Sequence, residues 1–152
     1  MSLRIEDVTV RKVVTIDPNS TVMEASRVMN RHSTSSLVVV ENDSIDGIMT
    51  TKDVIGKVVA RGVDPSDILV RDVMSSPVVK MRLNDNLDEA VDTMLKRNIK
   101  KLVLVNGHTE HEKPVGMLSL TDVVELFPKI FSAIREIADM VENPEGSKFY
   151  VA

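Results

Sequence analysis

The sequence predicts an α+β fold in which one small unit is written twice, and three observations carry that prediction. First, displaced by 65 positions, Ile5–Val40 falls on Val70–Val105: Asp7-Val8 meets Asp72-Val73, Val13-Val14 meets Val78-Val79, Glu24-Ala25 meets Glu89-Ala90, and Leu37-Val38 meets Leu102-Val103. Further on the displacement is 69, and Gly47-Ile48-Met49-Thr50 meets Gly116-Met117-Leu118-Ser119. The extra residues fall in the polar stretch Asn106–Pro114, where lengthening a loop costs little. Second, each copy alternates short β-branched runs with apolar residues at helical spacing. Third, a copy of about 50 residues buries too little surface to stand alone, so the copies must pack together as a pseudo-two-fold pair. The expected organisation is repeat one over 1–65, repeat two over 66–127, and a C-terminal helix with a mobile tail over 128–152.

In chain order, Val13–Ile16 and Val78–Met81 read as first strands. Thr21 and Asn86 follow as helix N-caps, each with Glu three positions later (Glu24 and Glu89). Behind them Val22, Ala25, Val28 and Met29, like Leu87, Ala90, Val91 and Met94, recur along one helical face. Leu37–Val40 and Leu102–Val105 are unbroken apolar runs, the pattern of strands buried on both faces. Third strands follow at Ile45–Met49 and Val115–Leu118, and second helices open at Thr50 and Ser119. Each copy therefore reads strand-helix-strand-strand-helix, with Gly62 and Pro65 punctuating the join. Pro128 suits the first turn of a last helix, on which Ile130, Ile134, Ile137 and Val141 form one apolar stripe.

Composition narrows the function classes. With no cysteine, disulfides, thiolate nucleophiles and cysteine zinc sites are excluded. A formal net charge of -4 disfavours sequence-independent nucleic-acid binding, and 3% aromatics leave little for a base-stacking platform. No apolar run approaches a membrane span and no signal pattern opens the chain, so no membrane association and a cytoplasmic location are expected. The sequence holds no P-loop, nucleophile elbow or His-Glu-x-x-His motif. His108, His111 and Glu112 in the inserted loop could meet a divalent ion but lack supporting residues, so no metal is expected. His32 reads as a helix-end cation, and Asp64, Asp67 and Asp72 as capping or linker residues.

The sharpest motif is the pair Gly47-Ile-Met-Thr-Thr-Lys-Asp53 and Gly116-Met-Leu-Ser-Leu-Thr-Asp122. Each puts a hydroxyl at a strand-to-helix corner and an Asp three positions later. One reading is a capping box, with Thr50 or Ser119 as N-cap. The other is a ligand corner, where free N–H groups and a hydroxyl suit a phosphate and a carboxylate accepts both hydroxyls of a ribose.

Two copies each ending in Gly-h-h-[Ser/Thr]-x-x-Asp resemble cystathionine-β-synthase (CBS) domains paired as a Bateman module, over about Ile5–Leu126. The resemblance implies two repeats packed sheet to sheet with pseudo-two-fold symmetry, as a stand-alone pair, leaving two clefts for AMP, ADP, ATP, S-adenosylmethionine or related adenosyl ligands. By that resemblance Asp53 and Asp122 hold ribose, Thr50 and Ser119 sit near ribose or phosphate, Thr121 joins the ligand residues as part of a fuller Ser-x-Thr-Asp pattern, and adenine rests on main chain near Val14 and near Pro77–Val79. Copy two carries Lys100-Lys101 where copy one has Ser35-Ser36. Those lysines read either as a solvated turn or as phosphate contacts that make the clefts unequal.

The function implied is regulatory: an adenine nucleotide or adenosyl effector, no required cofactor, and a conformational signal to a protein partner. The alternative is a dimeric interaction module with vestigial clefts. Chains of this kind are related to inosine-monophosphate dehydrogenase, which carries such a pair as an insert, but its catalytic barrel and cysteine are absent, so no enzyme activity is expected. A homodimer is expected through helical faces, the sequence hints being Val22/Val28, Leu87/Met94 and the Ile130–Val141 stripe.

Overall fold

The computed structural model describes residues 3–8, 10–106, 112–125 and 128–142. Each copy supplies a three-stranded sheet, ordered β1-β2-β3 and β4-β5-β6. The short β1 (Thr15–Ile16) runs parallel to β2 (Ser36–Glu41), which pairs antiparallel with β3 (Ser44–Thr50). β4 (Lys80–Arg82), β5 (Lys101–Asn106) and β6 (Lys113–Ser119) repeat that scheme. Even the register shifts coincide, falling between Val39 and Val40 in one copy and between Leu104 and Val105 in the other.

A parallel first pair needs a crossover, and the helices α1 (Val22–His32) and α4 (Leu87–Lys96) provide it. Thr21 opens α1 with a reciprocal box: its hydroxyl accepts from the Glu24 N–H at 3.1 Å, while its own N–H donates to the Glu24 carboxylate at 3.0 Å. Asn86 caps α4 differently, its side-chain oxygen accepting from the Asp88 N–H at 2.8 Å, so Glu89 is not used as expected. A second short helix follows each β3-type strand: α2 (Thr51–Val54), running on into a π-helical turn at Ile55–Val59, and α5 (Leu120–Glu125). The four-residue α3 (Val70–Val73) and the last helix, α6 (Pro128–Glu142), complete the set.

The unbroken apolar runs of β2 and β5 are buried on both faces, as their pattern predicts. Leu37 and Val39 face a core beneath α1, and Leu102 and Leu104 face its counterpart beneath α4. Val38, Val103 and Val105, with Met117, form a third layer where the two sheets meet. Alternation along a strand sends successive residues to opposite layers, so three cores need only two central strands.

The first strands begin two residues later than the sequence suggests, and the segments leading into them pair across the copies. Arg11 exchanges backbone hydrogen bonds with Met117 at 3.1 and 3.0 Å, and Ser75 does the same with Ile48 at 2.9 and 3.1 Å. The lead-ins are thus exchanged: Ile5 and Val8 lie in the core of copy two, while Val70 and Val73 lie in that of copy one. Val22, Leu87 and Met94, expected to offer an apolar face to another chain, are instead buried in these cores. The exposed large apolar residues are others, among them Ile55, Val59, Leu95, Ile134, Ile137 and Met140. Among the described residues no helix is long and apolar enough to cross a membrane.

Candidate functional site

The two Gly-h-h-[Ser/Thr]-x-x-Asp corners fold alike but use their carboxylates differently. In copy one the Asp53 carboxylate turns back on its own helix, accepting from the Thr50 N–H at 2.9 Å and the Thr50 hydroxyl at 3.2 Å. Its other oxygen pairs with Lys57 at 3.1 Å, one turn on, and Lys57 also donates to the Val73 carbonyl. This is the capping reading, nearly complete. In copy two the cap is the Ser119 hydroxyl, which accepts from the Asp122 N–H at 3.0 Å. The Asp122 carboxylate is left for Arg11, whose Nε donates to both oxygens at 3.0 and 3.1 Å and whose terminal nitrogen lies 2.9 Å from one of them. Burial pushes the Asp122 carboxyl up, but the Arg11 hydrogen bond and charge, with the Ser119 hydrogen bond, outweigh it and hold the group below the usual carboxylate range. Arg11 is raised in turn by its bond to Asp122.

Around this second corner lies a cleft of 160 Å³ lined by Arg11, Lys12, Thr34, Ser35, Ser36, Lys101, Met117, Ser119 and Thr121. Both copies build it. Copy one supplies the lead-ins to β1 and β2, and copy two supplies the start of β5 and the β6–α5 corner. Lys101 crosses the join and donates to the Ser35 hydroxyl at 2.7 Å. Burial, then the neighbouring Arg11 charge, lowers the Lys101 pKa, with Asp122 acting the other way. Three cations and one partnered carboxylate give this cleft a positive balance on a chain of net charge -4.

The structure therefore gathers Ser119, Thr121 and Lys101 on one cleft, with Asp122 reached through Arg11. Lys100 is apart from them: it is exposed, and its carbonyl accepts from the Leu120 N–H at 2.8 Å. Thr50 and Asp53 form the other corner, near which Pro77 follows Ser75, the partner of Ile48. Val14 and Val79 pack against the two cores, and their carbonyls accept from Val38 at 3.0 Å and Val103 at 3.2 Å inside the sheets. Arg11, Lys12 and Thr34 were missed by sequence reasoning. A signal exists, since Arg11-Lys12 stands where copy two has Ser76-Pro77. It has no meaning until the lead-ins are known to cross over. The helices behind the corners are short, so side-chain cations rather than helix dipoles dominate the field. Glu112 pairs with Lys80 at 2.8 Å, while His108 and His111 lie outside the described residues.

Comparison with known proteins identifies the family and agrees with the fold. The family model for the CBS domain matches residues 5–60 and 70–129. An uncharacterised protein of Methanopyrus kandleri is 32% identical over 89% of this chain and 68% of its own length. The inosine-5′-monophosphate dehydrogenase of Thermoplasma acidophilum is 33% identical over 80% of this chain but only 23% of the enzyme. An uncharacterised conserved protein from Pyrococcus horikoshii superimposes with a TM-score of 0.71 at 30% identity, covering 83% of this chain and 92% of that one. A CBS domain pair solved in complex with 5′-methylthioadenosine and S-adenosylmethionine gives 0.72 at 22% identity, covering 85% and 98%. With the matched segments spanning most of both repeats and the exchanged lead-ins joining them, the chain belongs to the CBS-domain family, as a tandem pair.

Proposed function

We propose that the chain is a regulatory module without catalytic activity whose composite cleft binds an adenine nucleotide. The observation that carries this reading is the convergence of Arg11, Lys12 and Lys101 beside the Ser119–Asp122 corner. Cations drawn from both copies give a phosphate chain something to bridge, and bridging ties ligand occupancy to how the copies sit. Ser119 and Thr121 are suited to ribose or phosphate, and Asp122 to ribose hydroxyls once Arg11 turns from it to a phosphate. A related pair bound to S-adenosylmethionine and methylthioadenosine supports the adenosyl class. The positive balance here favours AMP, ADP or ATP over a sulfonium ligand. The Thr50–Asp53 corner, closed on itself by Lys57, is the weaker site.

Thermal-shift measurements with AMP, ADP, ATP, S-adenosylmethionine and adenosine test this. A ligand at 100 times its dissociation constant adds about 2.7 kcal/mol, a rise of several degrees for a domain of this size. The shift should be largest for nucleotides and lost in Asp122→Ala, with Asp53→Ala affecting it less. Silence at millimolar concentrations would leave the second reading, an interaction module with vestigial clefts, which the exposed apolar residues of the π-helical turn at Ile55–Val59 and of α6 favour.

A further inference from the structure

α6 departs from the twofold plan, following repeat two with no counterpart after repeat one, and it leans on α5. Ile134, Ile137 and Met140 are 58%, 60% and 66% exposed, a concentration of bare apolar surface on one helix of 15 residues. A lone exposed Leu or Ile needs no explanation, but three on adjacent turns do. In the sequence Ile130, Ile134, Ile137 and Val141 follow the four-three-four spacing of a helix-pairing seam. The charges are not evenly spread: Lys129 stands in the first turn, Arg135 at the midpoint, and Glu136, Asp139 and Glu142 in the second half.

We propose that α6 pairs antiparallel with α6 of a second copy of this chain. Antiparallel pairing sets Lys129, near the start of one helix, against the acidic end of the other and opposes the two helix dipoles. Parallel pairing would put like charge on like. The seam closes on itself in this orientation, because Ile134 meets Ile137 of the partner subunit and the reverse. The acidic second half also speaks against an anionic lipid surface, which selects Lys and Arg on the polar face.

The natural absence of cysteine makes the orientation directly measurable. Ile134→Cys and Ile137→Cys chains, oxidised separately and mixed, should give a cross-linked dimer mainly in the mixture. Cross-linking within each variant alone, or none at all, would overturn the antiparallel pair. Sedimentation at micromolar concentration should show the parent chain losing one step of association in the Ile134→Asp/Ile137→Asp double variant. An unchanged mass for that variant, or a monomeric parent, would reject the proposal. Because these side chains are exposed in the single chain, the variant should still unfold cooperatively and keep its nucleotide-induced shift, which separates this interface from the cleft.

Discussion

A methyl group on Gly47 would lie 2.7 Å from the Met74 sulfur and 2.9 Å from the Ser75 carbonyl oxygen, and one on Gly116 would collide with a Val10 methyl. The glycine that opens each corner is therefore required by the lead-in of the other copy, which crosses directly over it. Gly47→Ala should cost about 1–3 kcal/mol by overpacking, read from urea unfolding; no loss would mean that the crossing segment yields freely. The carboxylate at the opposite end of the motif makes a pH prediction. With its folded pKa depressed, Asp122 contributes stability above its ordinary range, and that contribution disappears as pH falls through the lowered value. The stability gap between the parent and Asp122→Asn should accordingly narrow on acidification. It should stay within about 1 kcal/mol because the Arg11 side chain is 64% exposed and screened. Lys101→Ala should weaken ATP more than adenosine, whereas Lys100→Ala should leave both nearly unchanged in calorimetry. Equal effects from the two lysines would remove Lys101 from its assigned place.

Elements were legible to the extent that one face or both faces of a periodic run were buried. α1, α4 and the double-faced β2 and β5 follow directly from the spacing of Val, Leu, Ala and Met. The short 3-10 turn at Ile5–Asp7 and α3 were invisible as elements, since one turn has no period to read. Their importance is nonetheless large. Ile5 is fully buried, beside Leu87, Leu102 and Leu118, although it lies at the far end of the chain from them. Ile5→Ala should cost about 2–4 kcal/mol, unfolding copy two as readily as a substitution within it, while Leu3→Ala, at a partly exposed position, should cost much less. Comparable melting of both variants would remove the lead-in from the core.

At the scale of the molecule, the exchange makes each half incomplete. A fragment over 1–65 lacks Val70 and Val73 from its own core, and a fragment over 66–152 lacks Ile5 and Val8. Neither should show cooperative unfolding by circular dichroism alone, and mixing them should restore a folded species. An independently folded half would contradict the exchange. The same crossing explains why the cleft is composite and why the two corners differ: Arg11 reaches Asp122, while the matching positions in copy two, Ser76 and Pro77, carry no cation for Asp53.

By itself the sequence determined the repeat, the alternation of strand and helix, the double burial of β2 and β5, and the two corners with their hydroxyl and Asp. All of these are written in periodicities and in copies of the same residues at a constant displacement. Tertiary structure alone decided which lead-in serves which copy, that Arg11 and Lys12 join Lys101 in one cleft, and that Asp53 caps a helix while Asp122 holds an arginine. Those outcomes depend on contacts between residues far apart in the chain, as Arg11 and Asp122 are. Local pattern records what a segment buries, not the distant segment it is buried against.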